Sequence, residues 1–318
     1  MKKIVVTQHG GPEVMHLENV SLGEPEEGEI KVRNHAIGVN YTDIYTRTGG
    51  DLPLTPGKEG AGEVIAVGKG VEEFKTGDRV VYTQSPGAYG EEHIVSAHLT
   101  LPLPEEMSYE LAAASTLKGL TAHYLIHHTY PVQAGEVALV HAAAGGVGNI
   151  MTQWLKSKGV TVIGTVGSSQ KAEIAQQSGC DLVIEYRHED VAQRVSEFTN
   201  GKGCDVVYDG VGKATFEASL DSLHPFGYYV NFGAASGPVE LEMGTLAAKG
   251  SLYATFPDLD HHVTNYDHLL SMGNDLFSAI KAGTIQIAEP KQLALSDAAK
   301  AHELLESRKA TKTIVLIP

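Results

Sequence analysis

Apolar positions recur along the chain with two different rhythms, and the change between them divides it. Over residues 1–115 the apolar runs are short and alternating or bracketed by glycine: 1–7, then Glu29-Ile30-Lys31-Val32-Arg33, then 62–68, then Arg79-Val80-Val81-Tyr82 behind the Gly77-Asp78 turn. Such density of strands and turns predicts a separate β domain. The stretch 105–114, Glu105-Glu106-Met107-Ser108-Tyr109-Glu110-Leu111-Ala112-Ala113-Ala114, reads as a helix leading out of it. From Val137 onward the runs become continuously apolar: 137–140, 161–166, 182–184, 204–208 and 228–232, with 251–255 as a sixth. Segments long enough for crossover helices separate them, so a buried parallel sheet of doubly wound type is predicted. After residue 256 come two amphipathic helical stretches, 265–281 and 297–307, and a last apolar strand, 313–317, for which the first domain is the natural host. No internal repeat or low-complexity segment interrupts this order.

The most specific local feature follows the first strand of the second half. The strand runs into Ala142-Ala143-Ala144-Gly145-Gly146-Val147-Gly148, and Ile150-Met151-Thr152-Gln153-Trp154-Leu155-Lys156 then carries apolar residues at helical spacing. Strand, small-residue turn and helix are the parts of a dinucleotide site. The turn lets backbone approach a pyrophosphate, and the helix directs unpaired N–H groups at the anion. Ala142 stands where the usual fingerprint has its first glycine, so the same turn also reads as a strand-to-helix connection that binds nothing.

The end of the second strand indicates which nucleotide is meant. About 20 residues past the glycine turn, an NAD enzyme places an acidic residue for the ribose 2′-hydroxyl. Here the chain reads Val166-Gly167-Ser168-Ser169-Gln170-Lys171, without a carboxylate. Ser168 and Ser169 offer hydrogen bonds, Lys171 a positive charge, and Tyr186 follows the third strand where it would cover the same phosphate. Alternatively, one of the serines caps a helix beginning near Lys171 and the lysine is a solvated surface charge. The two roles are compatible, and the balance favours NADPH over NADH.

Composition narrows the class of protein. At 318 residues, 42% hydrophobic and 20% charged, the chain has the make-up of a soluble protein of about two domains. No apolar run reaches the length of a membrane span. The N-terminal segment turns polar at Gln8-His9-Gly10-Gly11-Pro12, too early for a signal sequence, and a cytoplasmic location is expected. Cys180 and Cys204 are too few for a disulfide framework and read as small core residues. A net charge of −15 argues against nucleic acid or an anionic membrane as partner. Among 15 histidines, His127-His128 and His261-His262 lack a completing ligand and read as surface residues, and the helical spacing of His123 and His127 gives only two imidazoles. No Gly-x-Ser-x-Gly elbow offers a hydrolase nucleophile.

Several segments together carry a family resemblance. Gly57-Lys58-Glu59-Gly60-Ala61-Gly62, followed by Gly68 and Val71, resembles the Gly-His-Glu-x-x-Gly signature of the medium-chain dehydrogenase/reductase superfamily, and Gly38-Val39-Asn40-Tyr41-Thr42-Asp43 resembles its first catalytic segment. In the zinc alcohol dehydrogenases these segments give a cysteine and a histidine to the catalytic metal; here the matching residues are Asn40 and Lys58. An ammonium has no lone pair for zinc and an amide is a poor ligand, so no catalytic metal is expected. With Leu117-Lys118-Gly119-Leu120-Thr121, Gln170-Lys171-Ala172, Lys249-Gly250-Ser251-Leu252-Tyr253 and the segment from His302 to Arg308, the chain resembles the zinc-free, zeta-crystallin-like NADPH:quinone reductases over almost its full length.

That resemblance implies a GroES-like β domain formed by residues 1–117 and 257–318, and a doubly wound Rossmann domain over 118–256 that binds NADPH. Asn40, Asp43 and Tyr45 would line the nicotinamide and substrate site, and Thr121 would approach the cofactor. Ala144, Gly145, Gly146 and Val147 would meet the pyrophosphate. Gly167, Ser168, Lys171 and Tyr186 would form the 2′-phosphate pocket, and Phe232, Gly233, Phe256 and Arg308 would contact the adenosine or nicotinamide ends. Lys58 would either add charge near the site or pair with Glu59 or Asp43. Without a metal Lewis acid, the expected reaction is hydride transfer from NADPH to an electron-poor acceptor, a quinone or an enone. Tyr45 and Asn40 would either hydrogen-bond the acceptor's carbonyl, or respectively pack beneath the nicotinamide and hold backbone. A 2-alkenal or enone reductase, and an NADPH-binding protein without turnover, are the alternatives. A homodimer is expected, because sheet edges near 228–255 would otherwise be open.

Overall fold

A computed structural model describes residues 1–318. Its strands and helices follow one another as β1 (Lys2–Val6), β2 (Met15–Asn19), β3 (Glu29–Gly38), α1 (Tyr41–Gly49), β4 (Gly60–Val67), β5 (Arg79–Tyr82), β6 (Glu92–Ser96), β7 (Thr100–Pro102) and α2 (Tyr109–Tyr124). Then come β8 (Val137–Val140), α3 (Gly146–Ser157), β9 (Thr161–Val166), α4 (Ser169–Gln177), β10 (Leu182–Glu185), α5 (Val191–Phe198), β11 (Cys204–Asp209), α6 (Phe216–Asp221), β12 (Leu223–Asn231), α7 (Met243–Ala248) and β13 (Tyr253–Thr255). The chain closes with α8 (Tyr266–Lys281), β14 (Lys291–Ala294), α9 (Ala298–Glu306) and β15 (Ile314–Ile317).

Two units result. The first comprises Met1–Lys118, His262–Phe277 and Ile287–Pro318, the second Gly119–His261 and Ser278–Gln286. The division falls within α2 and α8, so residues 257–261 and 278–286 go with the nucleotide-type unit rather than with the β unit as the sequence suggested.

In the first unit seven strands form one sheet, in the order β14-β15-β3-β4-β5-β7 with β6 also paired to β3. The last strand finds its expected host: β15 pairs antiparallel with β3, through Val315 opposite Gly38 and Leu316 opposite Ile37. Ile30, Val32, Ile37, Val64, Val80, Tyr82, Val95, Ile314 and Leu316 fill its core. One helix here escapes the apolar pattern. α1 has a single buried aliphatic residue, Ile44, and three threonines of poor helix propensity. It is held by other means: the Asp43 carboxylate accepts the Asn40 N–H at 2.8 Å, and Thr46 and Thr48 donate to carbonyls four residues back. Another helix begins later than its composition suggests. α2 starts after Ser108, whose hydroxyl oxygen accepts the Leu111 N–H at 3.1 Å and caps the first turn, leaving 105–108 outside.

The second unit is a six-stranded sheet in the order β10-β9-β8-β11-β12-β13, parallel throughout. Its strands are apolar on both faces because helices cover both, and α3 buries Ile150, Met151, Trp154 and Leu155. The strand order reverses between β8 and β11, which places a ligand crevice at the carboxyl ends of those two strands. Cys180 and Cys204 are buried and unpaired, as their positions suggested, and burial pushes both thiols up, to about 11 and about 12. No helix is long and apolar enough to cross a membrane.

Candidate functional site

The glycine turn lies at the reversal point of the parallel sheet. β8 ends at Val140; Ala142 takes a left-handed φ of 52°, and Gly145 precedes the first turn of α3. Gly145 offers no side chain to cap that turn, so the leading N–H groups of the helix are not capped from this position. Gly148 is required by close approach. A Cβ there would run into the Ala142 carbonyl oxygen and lie 2.9 Å from Ala143 Cα, both of them backbone atoms with no room to move. The turn from Ala142 to Gly148 is therefore a backbone cradle packed tightly on itself.

The other expected cofactor residues of this unit sit at the ends of neighbouring strands. Gly167 follows β9 and Tyr186 follows β10, and the phenol lies over the glycine so closely that a Cβ on Gly167 would be 2.7 Å from its oxygen. Ser168 is the residue before α4, yet its side chain makes no capping bond. Ser169 does not cap either: its hydroxyl donates to Glu185 at 3.2 Å. The helix begins at Ser169, two residues before Lys171, so Lys171 lies in its first turn. Glu185 brings from β10 the carboxylate that the 166–171 segment itself lacks. Phe232 follows β12 and packs its ring on Gly210. Gly233 continues this loop, and Phe256 follows β13 with 64% of its surface exposed. The loop after β11 is fixed by Asp209, whose buried carboxylate accepts the N–H groups of Val211 and Gly212 and the hydroxyls of Thr215, Ser219 and Tyr229. Thr121 is buried on α2.

Asn40, Asp43, Tyr45 and Arg308 belong to the first unit, where a buried polar cluster surrounds the first two. Asp43 is wholly buried and does not line a site. Its Oδ2 accepts the Asn40 N–H and, at 2.9 Å, the Tyr89 hydroxyl. That phenol in turn contacts His302 Nε2 at 3.1 Å, and Arg47 Nη1 meets His302 Nδ1 at 2.9 Å. Arginine only donates, so Nδ1 accepts, Nε2 carries the proton, and hydrogen bonds run in one direction from Arg47 through His302 and Tyr89 to Asp43. Arg47 also donates to Glu306 at 2.6 Å. Burial pushes the Asp43 carboxyl up to about 7, against the Asn40 N–H, the Tyr89 hydroxyl and the Lys118 charge. Asp43 Oδ1 is buried without a partner, so a proton there displaces no hydrogen bond.

Asn40 has its side chain in a second set of contacts. Lys118 Nζ donates to its Oδ1 at 2.7 Å and its Nδ2 donates to Glu59 Oε2 at 2.9 Å. Lys118 and Glu59 lie 3.6 Å apart, and Glu59 Oε1 accepts the Leu117 N–H at 2.5 Å. Burial raises the Glu59 carboxyl, and the Lys118 charge is the largest effect opposing it. Lys118 therefore meets Glu59 and contributes charge at Asp43, the two carboxylates that Lys58 was expected to pair with. Tyr45 is 42% exposed on α1, edge-on to Tyr41, and Arg308 follows α9 with φ 56°. Sequence reasoning assigned no role to Lys118, Tyr89, Arg47 or His302. Of the histidines read as surface residues, His128 and His261 are exposed and His127 and His262 half-buried; His123, one turn before His127, is buried, with ring centroids 4.3 Å from His127 and 5.4 Å from Trp154.

The residues at the zinc-ligand positions do not suit a metal. The Asn40 oxygen already receives an ammonium, whose charge repels a dication, and Lys58 offers no lone pair. The turn before α3, with no side chain at Gly145 to cap the helix and backbone closely packed at Gly148, fits a dinucleotide's pyrophosphate. Together they define a two-domain nicotinamide oxidoreductase of medium-chain dehydrogenase/reductase type. Residues 26–130 match the family described as alcohol dehydrogenase GroES-like domain, and 146–256 the family described as zinc-binding dehydrogenase, a span that contains neither position 40 nor 58. The chain is 50% identical to a quinone oxidoreductase of Salmonella typhimurium, over 99% of each chain. It is 40% identical to a 2-haloacrylate reductase of a Burkholderia species, covering 99% of this chain and 98% of the relative. The crystal structure of Escherichia coli quinone oxidoreductase complexed with NADPH superposes with a TM-score of 0.98 at 46% identity, covering all of both chains. The chain belongs to the quinone oxidoreductase family.

Proposed function

We propose that this protein reduces quinones with NADPH and without a catalytic metal. The observation that carries this reading is the pairing of a backbone phosphate cradle at Gly145–Gly148 with an Asn40 side chain engaged by an ammonium and a carboxylate, where zinc relatives ligate metal. When bound, NADPH supplies the hydride. The chain's own residues bind and orient. Ala144, Gly145, Gly146 and Val147 hold the pyrophosphate at the start of α3. Gly167, Ser168, Lys171 and Tyr186 hold the 2′-phosphate, with Lys171 supplying the charge. Thr121, Phe232, Gly233, Phe256 and Arg308 contact the rest of the dinucleotide. Asn40 and Tyr45 hydrogen-bond the carbonyl of the acceptor, and Asp43 supports Asn40 from within the fold.

The 2-haloacrylate reductase relative supports a second reading, reduction of an activated alkene on the same scaffold. A homodimer joined along β13 is supported by that strand's position at the sheet edge and by Tyr253, 51% exposed on it. Two buried cysteines that form no disulfide fit a cytoplasmic location.

The test is NADPH oxidation against 1,2-naphthoquinone, benzoquinone, 2-alkenals and 2-chloroacrylate. Quinone turnover well above the others supports the first reading, and preference for the alkenes the second. Bound NADPH without turnover of any acceptor would contradict both.

A further inference from the structure

The Lys118–Glu59 pair is buried, and buried ion pairs seldom stabilise a fold more than apolar residues of equal volume would. Its contacts suggest another use. Lys118 has nothing to offer but protons, so the atom of Asn40 it meets at 2.7 Å must be the oxygen, which leaves the nitrogen as the atom 2.9 Å from Glu59 Oε2. The carboxamide is thus fixed in one of its two otherwise equivalent orientations. The Asn40 main chain is fixed as well, by the Asp43 carboxylate on its N–H. Glu59 cannot swing away, because the Leu117 N–H holds its other oxygen. With Oδ1 facing Lys118 and one Nδ2 proton facing Glu59, the second Nδ2 proton is the one polar group of this side chain that the protein leaves unclaimed.

We propose that Lys118 and Glu59 are positioning residues that lock the Asn40 carboxamide so that its second Nδ2–H is presented as a preorganised donor to the acceptor's carbonyl oxygen. This rests on the reading of Asn40 as a substrate-facing residue. A cation is thus kept beside position 40 after the metal ligands are gone; it acts one residue removed from the acceptor, through an amide whose dipole it orients. Preorganised donors cost no reorganisation as charge develops on the oxygen, and misplacing one by about 1 Å is expensive in rate.

A double-mutant cycle with two readouts tests this. For wild type, Asn40→Ala, Lys118→Met and the double variant, kcat/KM for 1,2-naphthoquinone is measured alongside NADPH affinity by fluorescence. Each single change is expected to lower kcat/KM about ten- to a hundredfold with NADPH affinity retained. The double variant is expected to be no worse than Asn40→Ala, because Lys118 acts only through Asn40. Single effects that multiply, or a Lys118→Met protein with wild-type kcat/KM, would overturn the proposal. If Lys118→Met does not fold, Lys118→Met with Glu59→Gln, which leaves no charge buried, takes its place under the same criteria.

The second readout needs no turnover. In protein labelled with 15N-asparagine, the Asn40 NH2 pair, identified by its loss in Asn40→Ala, is expected as two widely separated, slowly exchanging protons that move together and exchange faster in the lysine variant. An unchanged pair overturns the locking. A pair that changes while Asn40→Ala keeps wild-type kcat/KM leaves the lock intact and contradicts the substrate-facing role of Asn40 and, with it, the proposal.

Discussion

The two chemically important regions of this molecule are built on opposite principles. The cradle of the second unit is almost entirely backbone: small residues, a left-handed Ala142, and a Gly148 packed against the preceding carbonyl. The cluster of the first unit is almost entirely side chain: Asn40, Asp43, Glu59, Lys118, Tyr89, His302 and Arg47, all buried. An anion can be met by N–H groups that every residue except proline carries, so that site tolerates small sequences that leave them exposed. Orienting a carbonyl needs one defined donor, and a defined donor needs neighbours that fix it. The first region is therefore sensitive to bulk, and the second to charge and proton inventory.

The largest expected effect breaks the backbone site by bulk alone. Gly148→Val drives a side chain into Ala142 and Ala143. Losing two charge-assisted N–H contacts of about 1.5–3 kcal/mol each weakens NADPH binding roughly a hundredfold or more. Fluorescence titration checks it, and unchanged affinity would mean that the cradle is not the pyrophosphate site. Next in size is Lys171→Glu, where one charge-assisted contact is lost and a repulsion added: NADPH is expected to weaken by about tenfold to a hundredfold, and NADH by little. Equal losses for both cofactors would return Lys171 to the role of a surface charge.

The last effect belongs to the side-chain region and appears in stability rather than in binding. Folding raises the Asp43 carboxyl from its ordinary value to about 7, so the folded state holds a proton that the unfolded chain releases. The stability this lends is full below about pH 4 and is lost as pH rises through about 7. Asp43→Asn is therefore expected to remove that decline, so that the wild type's Tm falls relative to the variant's between pH 4 and 7. His302, held neutral by burial with its pKa lowered to about 3, gives the opposite slope, but both proteins carry it and it cancels. Parallel Tm curves would contradict the buried, proton-holding state of Asp43.

The same contrast explains what could be read from the chain. The nucleotide unit was legible because its signals are local: continuous apolar runs, a turn rich in glycine and helical spacing after it all fall within a few dozen residues. Even the last strand announced itself, since 313–317 has nowhere to go but into a sheet. The polar cluster was legible only as residue types. Asn40 and Lys118 are 78 positions apart, and Arg47 and His302 are 255 apart. Glu59 and Lys118 lie inside segments that carry the family resemblance, yet nothing local says that they meet. α1 was missed for a related reason, since capping and threonine hydroxyls hold it in place of an apolar stripe. Asp43 was expected beside the substrate, and its complete burial moves it to a supporting place behind Asn40.

On the proposed reading, hydride moves to a quinone beside an amide and an ammonium that stand at the positions where the zinc alcohol dehydrogenases hold their metal ligands. The most direct test of that reading is the rate of NADPH oxidation with 1,2-naphthoquinone before and after exhaustive dialysis against a strong chelator, with metal content measured on both samples. The rate is expected to stay unchanged in protein stripped of zinc; loss of activity on stripping, restored by added zinc, would contradict the account.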